Sequence, residues 1–340
     1  MSGASDSQIV FDAIHTQKKQ QHLVRMMSET ALEVHKIPNH NVKFESCVIC
    51  KSSNVLFHVN KFGFNLDRCC DCGHIFCNPM PNSSQLNFYY NSPMKDFENE
   101  FFIESFEKRV PIFKKRIEII KSFVPKGKLL DVGSAIGIFI SALQREEYGF
   151  EVHCCDPSDG ACRLLKEKYP EITIHQMMVE QLKADCGFDV VTMWDTLEHV
   201  ESPVDVAMSI KKLLTPGGYW FFSTPNTDSF EWKVAGVDHV QLLPPGHINL
   251  FNLQSIKRVL LDADLELVEY FTPNGTLDVS YVKKLLQNGT PEYIKNAGNF
   301  FYQHIEDDSF LAAFAKLLTD TKYAGNIVVV ARKRLVEDKG

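Results

Sequence analysis

Four cysteines near the amino end of this chain have a spacing that suits a metal ion. Cys47 and Cys50 form one Cys-x-x-Cys pair, Cys69 and Cys72 form a second, and 18 residues separate the two pairs. Two such knuckles typically close a tetrahedral Zn²⁺ site. Because four thiolates leave no position open for water, the predicted ion stabilises the fold and takes no part in catalysis. Four reduced core cysteines, or a redox pair, are the alternative.

Residues 129–137 form the second stretch whose residue types could do chemistry. An apolar strand leads into Asp131, and a turn of small residues follows at 133, 135 and 137. Small residues let the backbone approach a ligand closely. A dinucleotide fingerprint would need glycines where Ala135 and Ile138 stand, and the Gly-Lys-Ser/Thr of a phosphate loop is missing here. The stretch therefore predicts a different nucleoside-bearing cofactor at the end of the strand.

Alternating strand and helix patterns surround this turn. Strands are predicted at 128–132, 151–155, 172–175, 188–193, 218–223, 265–271 and 326–331. Such alternation is typical of βαβ units in a parallel sheet, in which ligands lie outside the carboxyl ends of the strands. Asp156 ends the second strand, 25 residues after Asp131. An acidic residue there can accept both ribose hydroxyls of a nucleoside, whereas a solvated turn residue is the alternative.

Several motifs in this part of the chain resemble those of the class I S-adenosylmethionine-dependent methyltransferases. They are Asp-x-Gly-x-Ala-x-Gly at 131–137, FDVVTMWDTLEHV at 188–200, LLTPGG at 213–218 and STPN at 223–226. The resemblance implies an α/β fold with a Rossmann-like, mostly parallel seven-stranded sheet and helices on both faces. It implies S-adenosyl-L-methionine (SAM) as cofactor. The implied cofactor-binding residues are Asp131, Gly133, Ser134, Ala135, Gly137, Asp156, Pro157, Met178, Val179, Trp194 and Asp195.

Individual roles follow for some of these residues. Asp131 is expected to answer the positive charge of the SAM methionine group, or else to cap the next helix. By the resemblance, Met178 and Val179 flank the adenine, although core packing of the methionine is an equal alternative.

The chain organisation is predicted to comprise four parts. These are a helical arm over residues 1–44, a zinc-binding ribbon over 45–82, a linker and leading helix over 83–127, and a methyltransferase domain over 128–335 with a substrate-covering insertion at about 272–325. The ribbon, Tyr89-Tyr90, the methyltransferase core and PGHINLF at 245–251 together resemble a bacterial subfamily associated with surface polysaccharide and sugar modification. That resemblance implies a sugar-like small-molecule acceptor, such as a nucleotide-linked glycan precursor.

Methyl transfer to a hydroxyl needs a base near the methyl group, and His199 and His247 are the candidate catalytic residues. Hydrogen-bonded structural roles are the alternative for both, and His247 is slightly favoured as the base. Asp195, Glu198 and His199 also form a cluster similar to Mg²⁺-binding clusters of some quinone-biosynthesis methyltransferases. The simpler interpretation is that Glu198 and His199 orient the loop beneath the acceptor. Loops expected to face the acceptor also carry Trp194, Phe230, Trp232 and His239.

Composition bounds the remaining possibilities. The chain has 340 residues, 44% apolar content and a formal net charge of −7, which disfavours a nucleic-acid partner. Neither a membrane span nor a secretory signal is recognisable, so a cytoplasmic protein is expected. An RNA methyltransferase that reads RNA through its ribbon is the main alternative function, with sugar N- or C-methylation as others. The sequence does not indicate an oligomeric state.

Overall fold

The structure is a computed structural model, and it describes residues 17–146, 149–183, 187–273, 303–304 and 307–335. Seven strands form the main sheet: β4 (Lys126–Val132), β5 (Gly149–Cys155), β6 (Thr173–His175), β7 (Phe188–Trp194), β8 (Leu214–Pro225), β10 (Leu265–Phe271) and β11 (Asn326–Lys333). Their order across the sheet is β10-β11-β8-β7-β4-β5-β6. Strands β4 to β8 run parallel, and β11 pairs antiparallel with both β8 and β10. The predicted α/β fold with a seven-stranded, mostly parallel, Rossmann-like sheet is confirmed.

Along these strands, successive side chains are buried on opposite faces of the sheet. Leu130 and Phe222 belong to one apolar cluster, whereas their neighbours Leu129 and Phe221 belong to the other. A strand buried on both faces needs helices above and below it. The helices of the chain are α1 (Gln17–Lys36), α2 (Ser83–Tyr90), α3 (Pro93–Glu104), α4 (Phe106–Phe123), α5 (Ile138–Arg145), α6 (Asp159–Lys168), α7 (Pro203–Leu213), α8 (Phe230–Ala235), α9 (Leu253–Asp262) and α10 (Asp308–Asp320).

Each face of the sheet is covered by a particular set of these helices. The first cluster takes in the apolar faces of α7 and α9, and the second takes in those of α4 and α5. Val110, Ile117 and Ile120 of α4 recur at helical spacing and form its buried face. None of the described helices is long and apolar enough to cross a membrane.

The cysteine region forms a second, smaller sheet that is joined to the segment after the main parallel strands. Strands β1 (Val55–Lys61), β2 (Phe64–Cys69) and β3 (Ile75–Cys77) come from the ribbon, and β9 (Asn249–Leu250) comes from the loop after β8. Strand β3 pairs antiparallel with β9. The ribbon is thus joined to the rest of the chain at this edge, because its last strand completes a sheet with residues far along the chain.

Residues 83–104, expected as a linker, form helices α2 and α3. Asn82 caps α2 and exchanges hydrogen bonds with Gln85 in a capping box, and Pro93 begins α3. Helix α1 packs on both of them through a cluster that includes Met27, Tyr89 and Met94. Most of the insertion predicted at 272–325 lies outside the described residues; its described part includes helix α10.

Candidate active site

The turn after β4 is closed by backbone conformations that small residues adopt most easily. Gly133, Ala135 and Gly137 have positive φ angles of 74°, 46° and 78°. A Cβ at Gly133 would lie 2.6 Å from the Thr196 hydroxyl oxygen, and one at Gly137 would lie 2.7 Å from Leu165. The turn therefore lies directly against the loop after β7 and against helix α6. This contact brings the predicted cofactor turn and the predicted catalytic loop together.

Asp156 connects this turn to the end of β5. One of its carboxylate oxygens accepts the backbone N–H of Ala135 at 2.9 Å, and the other accepts that of Ser158 at 2.9 Å. The side chain is buried, and burial raises its pKa above the ordinary value. Exposed Pro157 follows it. The structure thus places Asp156 beside the turn, at the carboxyl edge where its predicted role requires it.

Asp131 lies beneath the turn and is held by neighbouring hydroxyl groups. The Thr192 hydroxyl donates to its carboxylate at 2.7 Å, and the Ser134 hydroxyl donates to its carbonyl oxygen at 2.9 Å. Burial raises the pKa of Asp131 to about 7. Sequence reasoning missed Thr192, although a lone hydroxyl residue within the buried run of β7 is a recognisable signal.

The remaining predicted cofactor residues lie along the same edge of the sheet. Met178 is 45% exposed and precedes buried Val179 after β6. Trp194 is buried at the end of β7, where it packs edge-on against Phe139 at 5.4 Å between ring centroids. Trp194 was expected to face the acceptor, but in this structure it is a core residue.

Asp195 is fixed by three partners and has a φ angle of 47°. It accepts hydrogen bonds from Ser223 at 2.9 Å and Asn326 at 3.0 Å, and it forms an ion pair with Arg116 at 3.2 Å. The Arg116 guanidinium also lies over the Trp194 ring, 4.9 Å from a ring centroid. Arg116 was not predicted as a site residue, because the spacing of the apolar residues around it indicates only a helix that packs on the core.

His199 and His247 lie face to edge with their ring centroids 4.7 Å apart. Nδ1 of His199 lies 2.9 Å from the Gly246 carbonyl oxygen, and Nδ1 of His247 lies 2.8 Å from the Gln241 carbonyl oxygen. Since a carbonyl oxygen only accepts, both Nδ1 atoms carry a proton and both Nε2 atoms hold a free electron pair in the neutral rings. Burial lowers the pKa of His247 to about 4 and that of His199 well below its usual value. Both imidazoles are therefore neutral at physiological pH, with Nε2 unprotonated.

Glu198 is buried beside this pair. It accepts a hydrogen bond from the Thr224 hydroxyl at 2.9 Å, and burial raises its pKa to about 8. Ligand atoms of Glu198, His199 and His247 lie within 4.8 Å of one another. Asp195, which the sequence grouped with Glu198 and His199, does not belong to this set and turns toward Arg116 instead.

Helices α2 and α3, which precede the main sheet in the chain, lie against the histidine pair. The Tyr90 hydroxyl lies 3.3 Å from Nδ1 of His199, and Lys95 lies over the Tyr90 ring, 5.5 Å from its centroid. Lys95 also pairs with Glu98; the Lys95 charge acts on both histidines, and the Glu98 charge acts on His247. Tyr89 packs against Gly246, where a Cβ would lie 2.6 Å from the tyrosine hydroxyl. These residues lie over the histidine pair. The predicted cover was the insertion at about 272–325, most of which lies outside the described residues.

Three other residues expected to face the acceptor occupy packed positions. Trp232 lies 4.4 Å from His239 between ring centroids, and both are buried. Trp232 belongs to an apolar cluster with Ile75 of the cysteine sheet. Phe230 packs edge-on against Phe314 of α10 at 5.0 Å. His239 nevertheless lies near the histidine pair, since burial and then the charge of His247 lower its pKa to about 3.

The four predicted metal ligands are brought together. Sγ atoms of Cys47 and Cys72 lie 3.7 Å apart, those of Cys50 and Cys69 lie 3.5 Å apart, and all four lie within 4.8 Å of one another. A tetrahedral ion with Zn–S bonds of about 2.3 Å separates its sulfurs by about 3.8 Å. Four cysteine sulfurs at these distances are a donor set that a structural Zn²⁺ takes. The cluster therefore fits Zn²⁺ in size and in chemistry.

Comparison with known proteins agrees with the fold. The sequence model of a family described as "Methyltransferase domain" matches residues 105–270. The chain is 35% identical over 143 residues to a ubiquinone biosynthesis O-methyltransferase of Albidiferax ferrireducens, covering 38% of this chain and 56% of that protein. It is 34% identical over 129 residues to the protein of the same name from Alkalilimnicola ehrlichii, covering 35% and 51%. The chain thus spans about half the length of these curated relatives.

Among solved structures, a S-adenosylmethionine-dependent methyltransferase from Clostridium acetobutylicum superposes with a TM-score of 0.42 and 11% identity, covering 67% of this chain and 92% of that one. The matched sequence segment, residues 105–270, contains the turn, Asp156 and the histidine pair. Residues 105–270 are thus similar in sequence to a methyltransferase domain.

Proposed function

We propose that the chain transfers the methyl group of SAM to a hydroxyl group of a small-molecule acceptor. One observation carries the proposal: the loop that bears His199 packs on the small-residue turn through Thr196 and Gly133, so that two neutral imidazoles lie beside the cofactor turn. Bound SAM would supply an electrophilic methyl group for in-line displacement. The relatives named O-methyltransferases support the same reaction type.

In this proposal the turn and the two strand-end carboxylates hold SAM. Asp156, whose carboxylate is already oriented by two backbone N–H groups, would accept the ribose hydroxyls. Asp131, oriented by Thr192, would face the methionine end. Met178 and Val179 would flank the adenine. Residues 133–137 would admit the cofactor because side chains larger than those present would close the turn.

His247 would act as the base. Its Nδ1–H is fixed on the Gln241 carbonyl oxygen, which leaves Nε2 to take the hydroxyl proton while the acceptor oxygen bonds to the methyl carbon. His199 would orient the acceptor hydroxyl or share the proton, since the two rings are in contact. A divalent ion at Glu198, His199 and His247 is the alternative way to activate the hydroxyl.

Two acceptor classes follow from separate observations. A sugar or nucleotide-linked glycan precursor is the acceptor that the ribbon and the motif at 245–251 suggest. A flat phenolic ring is favoured by the relatives named ubiquinone biosynthesis O-methyltransferase. The Tyr90 ring and the Lys95 ammonium group give this side of the site an aromatic, positively charged surface, which suits either class of acceptor.

The acceptor class can be tested with methyl-labelled SAM. Wild-type protein would be incubated with UDP-glucose and dTDP-glucose, with a catechol such as 3,4-dihydroxybenzoate, and with transfer RNA, and each product would be separated and counted. Label in the sugar nucleotide or in the catechol supports the proposal and selects the class. Label confined to nuclease-sensitive RNA contradicts a small-molecule acceptor. Adding EDTA to the productive reaction separates a divalent ion from a metal-free base.

We expect Asp156→Ala to weaken SAM binding by about 100-fold or more. The variant removes two charge-assisted hydrogen bonds to the ribose, each worth about 1.5–3 kcal/mol, and it releases the Ala135 N–H that shapes the turn. Isothermal titration of SAM into the wild type and the variant measures the change. Asp205→Ala, on the exposed first turn of α7, serves as the control and should keep the wild-type affinity. Unchanged SAM affinity in Asp156→Ala would remove Asp156 from the cofactor site.

A further inference from the structure

The cysteine module shares a sheet with the strand that directly follows His247. Strand β3 pairs with β9 in the register Ile75 to Leu250 and Phe76 to Asn249. The Cys77 N–H donates to the Ile248 carbonyl oxygen at 2.9 Å, and the Ile248 N–H donates to the Glu198 carbonyl oxygen at 3.0 Å. The backbone beside His247 is thus held between the cysteine module on one side and the loop of His199 on the other.

A buried polar bridge runs parallel to these backbone contacts. Nε2 of His74 lies 2.9 Å from Oδ1 of Asn249, and Nδ2 of Asn249 donates to the Val200 carbonyl oxygen at 2.6 Å. The Val200 carbonyl can only accept, so the amide nitrogen must face it and the amide oxygen must face His74. Nε2 of His74 therefore carries the proton. His74 and Asn249 are both fully buried, so water offers neither an alternative partner.

His74 is in turn fixed to the cysteine knuckle. The Cys69 N–H donates to the His74 carbonyl oxygen at 2.9 Å, and the Gly73 N–H donates to the Cys69 carbonyl oxygen at 2.9 Å. The His74 ring lies between those of Phe76 and Phe251, at 5.7 Å and 5.0 Å between centroids. A continuous set of contacts thus connects the knuckle to Val200, the residue after His199.

We infer that His74 and Asn249 are positioning residues that transmit the geometry of the cysteine module to the histidine pair. The inference rests on the proposed function for its kinetic consequence, but its structural part concerns only the placement of His199 and His247. A buried amide that loses its partner either stays unsatisfied, which costs free energy, or moves to find another partner. We expect it to move and to shift the backbone at 200 and 248. Misplacement of a base by about 1 Å can cost about 100-fold in rate.

The test compares variants that keep or remove the bridge. His74→Phe preserves an aromatic ring between Phe76 and Phe251 and removes the donor, whereas His74→Gln supplies an N–H in its place. Asn249→Leu removes both contacts of the amide. His58→Phe, the same substitution at an exposed position of β1, is the matched control. For each full-length variant we would measure bound zinc, thermal unfolding, SAM affinity, kcat and KM for the acceptor, and the ¹³Cε1 NMR signals of His199 and His247.

We expect His74→Phe and Asn249→Leu to bind zinc and SAM as the wild type does and to lower kcat at least about tenfold. The NMR signals of His199 and His247 should move in both variants, stay in place in His58→Phe, and return toward wild type in His74→Gln. Wild-type kcat and unmoved signals in His74→Phe would overturn the inference. Should the wild type transfer no methyl group, the proposed function fails and the NMR signals alone decide the inference.

If His74→Phe and Asn249→Leu do not fold, a second pair of variants tests the inference. Asn249→Asp keeps an acceptor for His74 and loses the donor to Val200, whereas His74→Gln keeps both hydrogen bonds. The inference predicts shifted histidine signals in Asn249→Asp and near-wild-type signals in His74→Gln. Wild-type signals in both variants contradict it.

Discussion

Replacing His247 with alanine is expected to lower the rate of methyl transfer by about 10²–10⁴-fold, the range typical of a lost general base. The imidazole is neutral because burial lowers its pKa to about 4, and its Nδ1 is fixed on the Gln241 carbonyl oxygen. Alanine removes the Nε2 atom that would accept the hydroxyl proton. Single-turnover transfer of labelled methyl, with SAM saturating, measures the chemical step.

Two controls separate this effect from a general loss of structure. His40→Ala removes an exposed histidine on the chain before the cysteine module and should retain the full rate. SAM affinity of His247→Ala should stay within about threefold of wild type, since the expected cofactor contacts come from other strand ends. A variant that keeps the wild-type rate would show that His247 is structural, and His199→Ala would then become the decisive variant.

Cys69→Ser is expected to release the metal ion and to lower the melting temperature by roughly 10 °C or more. Structural zinc contributes about 10–16 kcal/mol in isolated zinc-finger peptides, and each kcal/mol shifts the melting temperature of a domain of this size by roughly 2–4 °C. The serine hydroxyl is a poor ligand for an ion whose other three ligands are thiolates. Zinc content by elemental analysis and thermal unfolding by circular dichroism check both parts.

The adjacent cysteine supplies a closely matched control. Cys70 is exposed and does not belong to the cluster of four thiols. Cys70→Ser should therefore retain one zinc ion and the wild-type melting temperature. Equal behaviour of Cys69→Ser and Cys70→Ser would indicate that the cluster is a set of reduced core cysteines rather than a metal site.

The main sheet was predictable because each strand carries its own local signal. Apolar runs ending in Asp131 and Asp156 mark the carboxyl edge, and the alternation with helices gives parallel neighbours. Small residues at 133–137 adopt the positive φ angles that a tight turn needs. The four cysteines were predictable as a cluster for a similar reason, since their spacing alone brings the two knuckles together.

The contacts between distant segments were not predictable in this way. Strand β9 has only two residues, and no local pattern indicates that Asn249 pairs with Phe76. Helices α2 and α3 have weak apolar periodicity, so the Asn82 to Gln85 capping box was the available sequence signal for α2. The place of Tyr90 beside His199 depends on how those helices pack, which is a tertiary property.

The central claim is that the histidine pair beside the small-residue turn catalyses methyl transfer from SAM. The most direct test measures the formation of S-adenosylhomocysteine by mass spectrometry with the productive acceptor, for the wild type and for His247→Ala. The account predicts one S-adenosylhomocysteine for each methylated acceptor in the wild type and a loss of both products by about 10²-fold or more in the variant. SAM that binds to the wild type but is never converted, with any of the sugar-nucleotide, catechol or RNA acceptors, would contradict it.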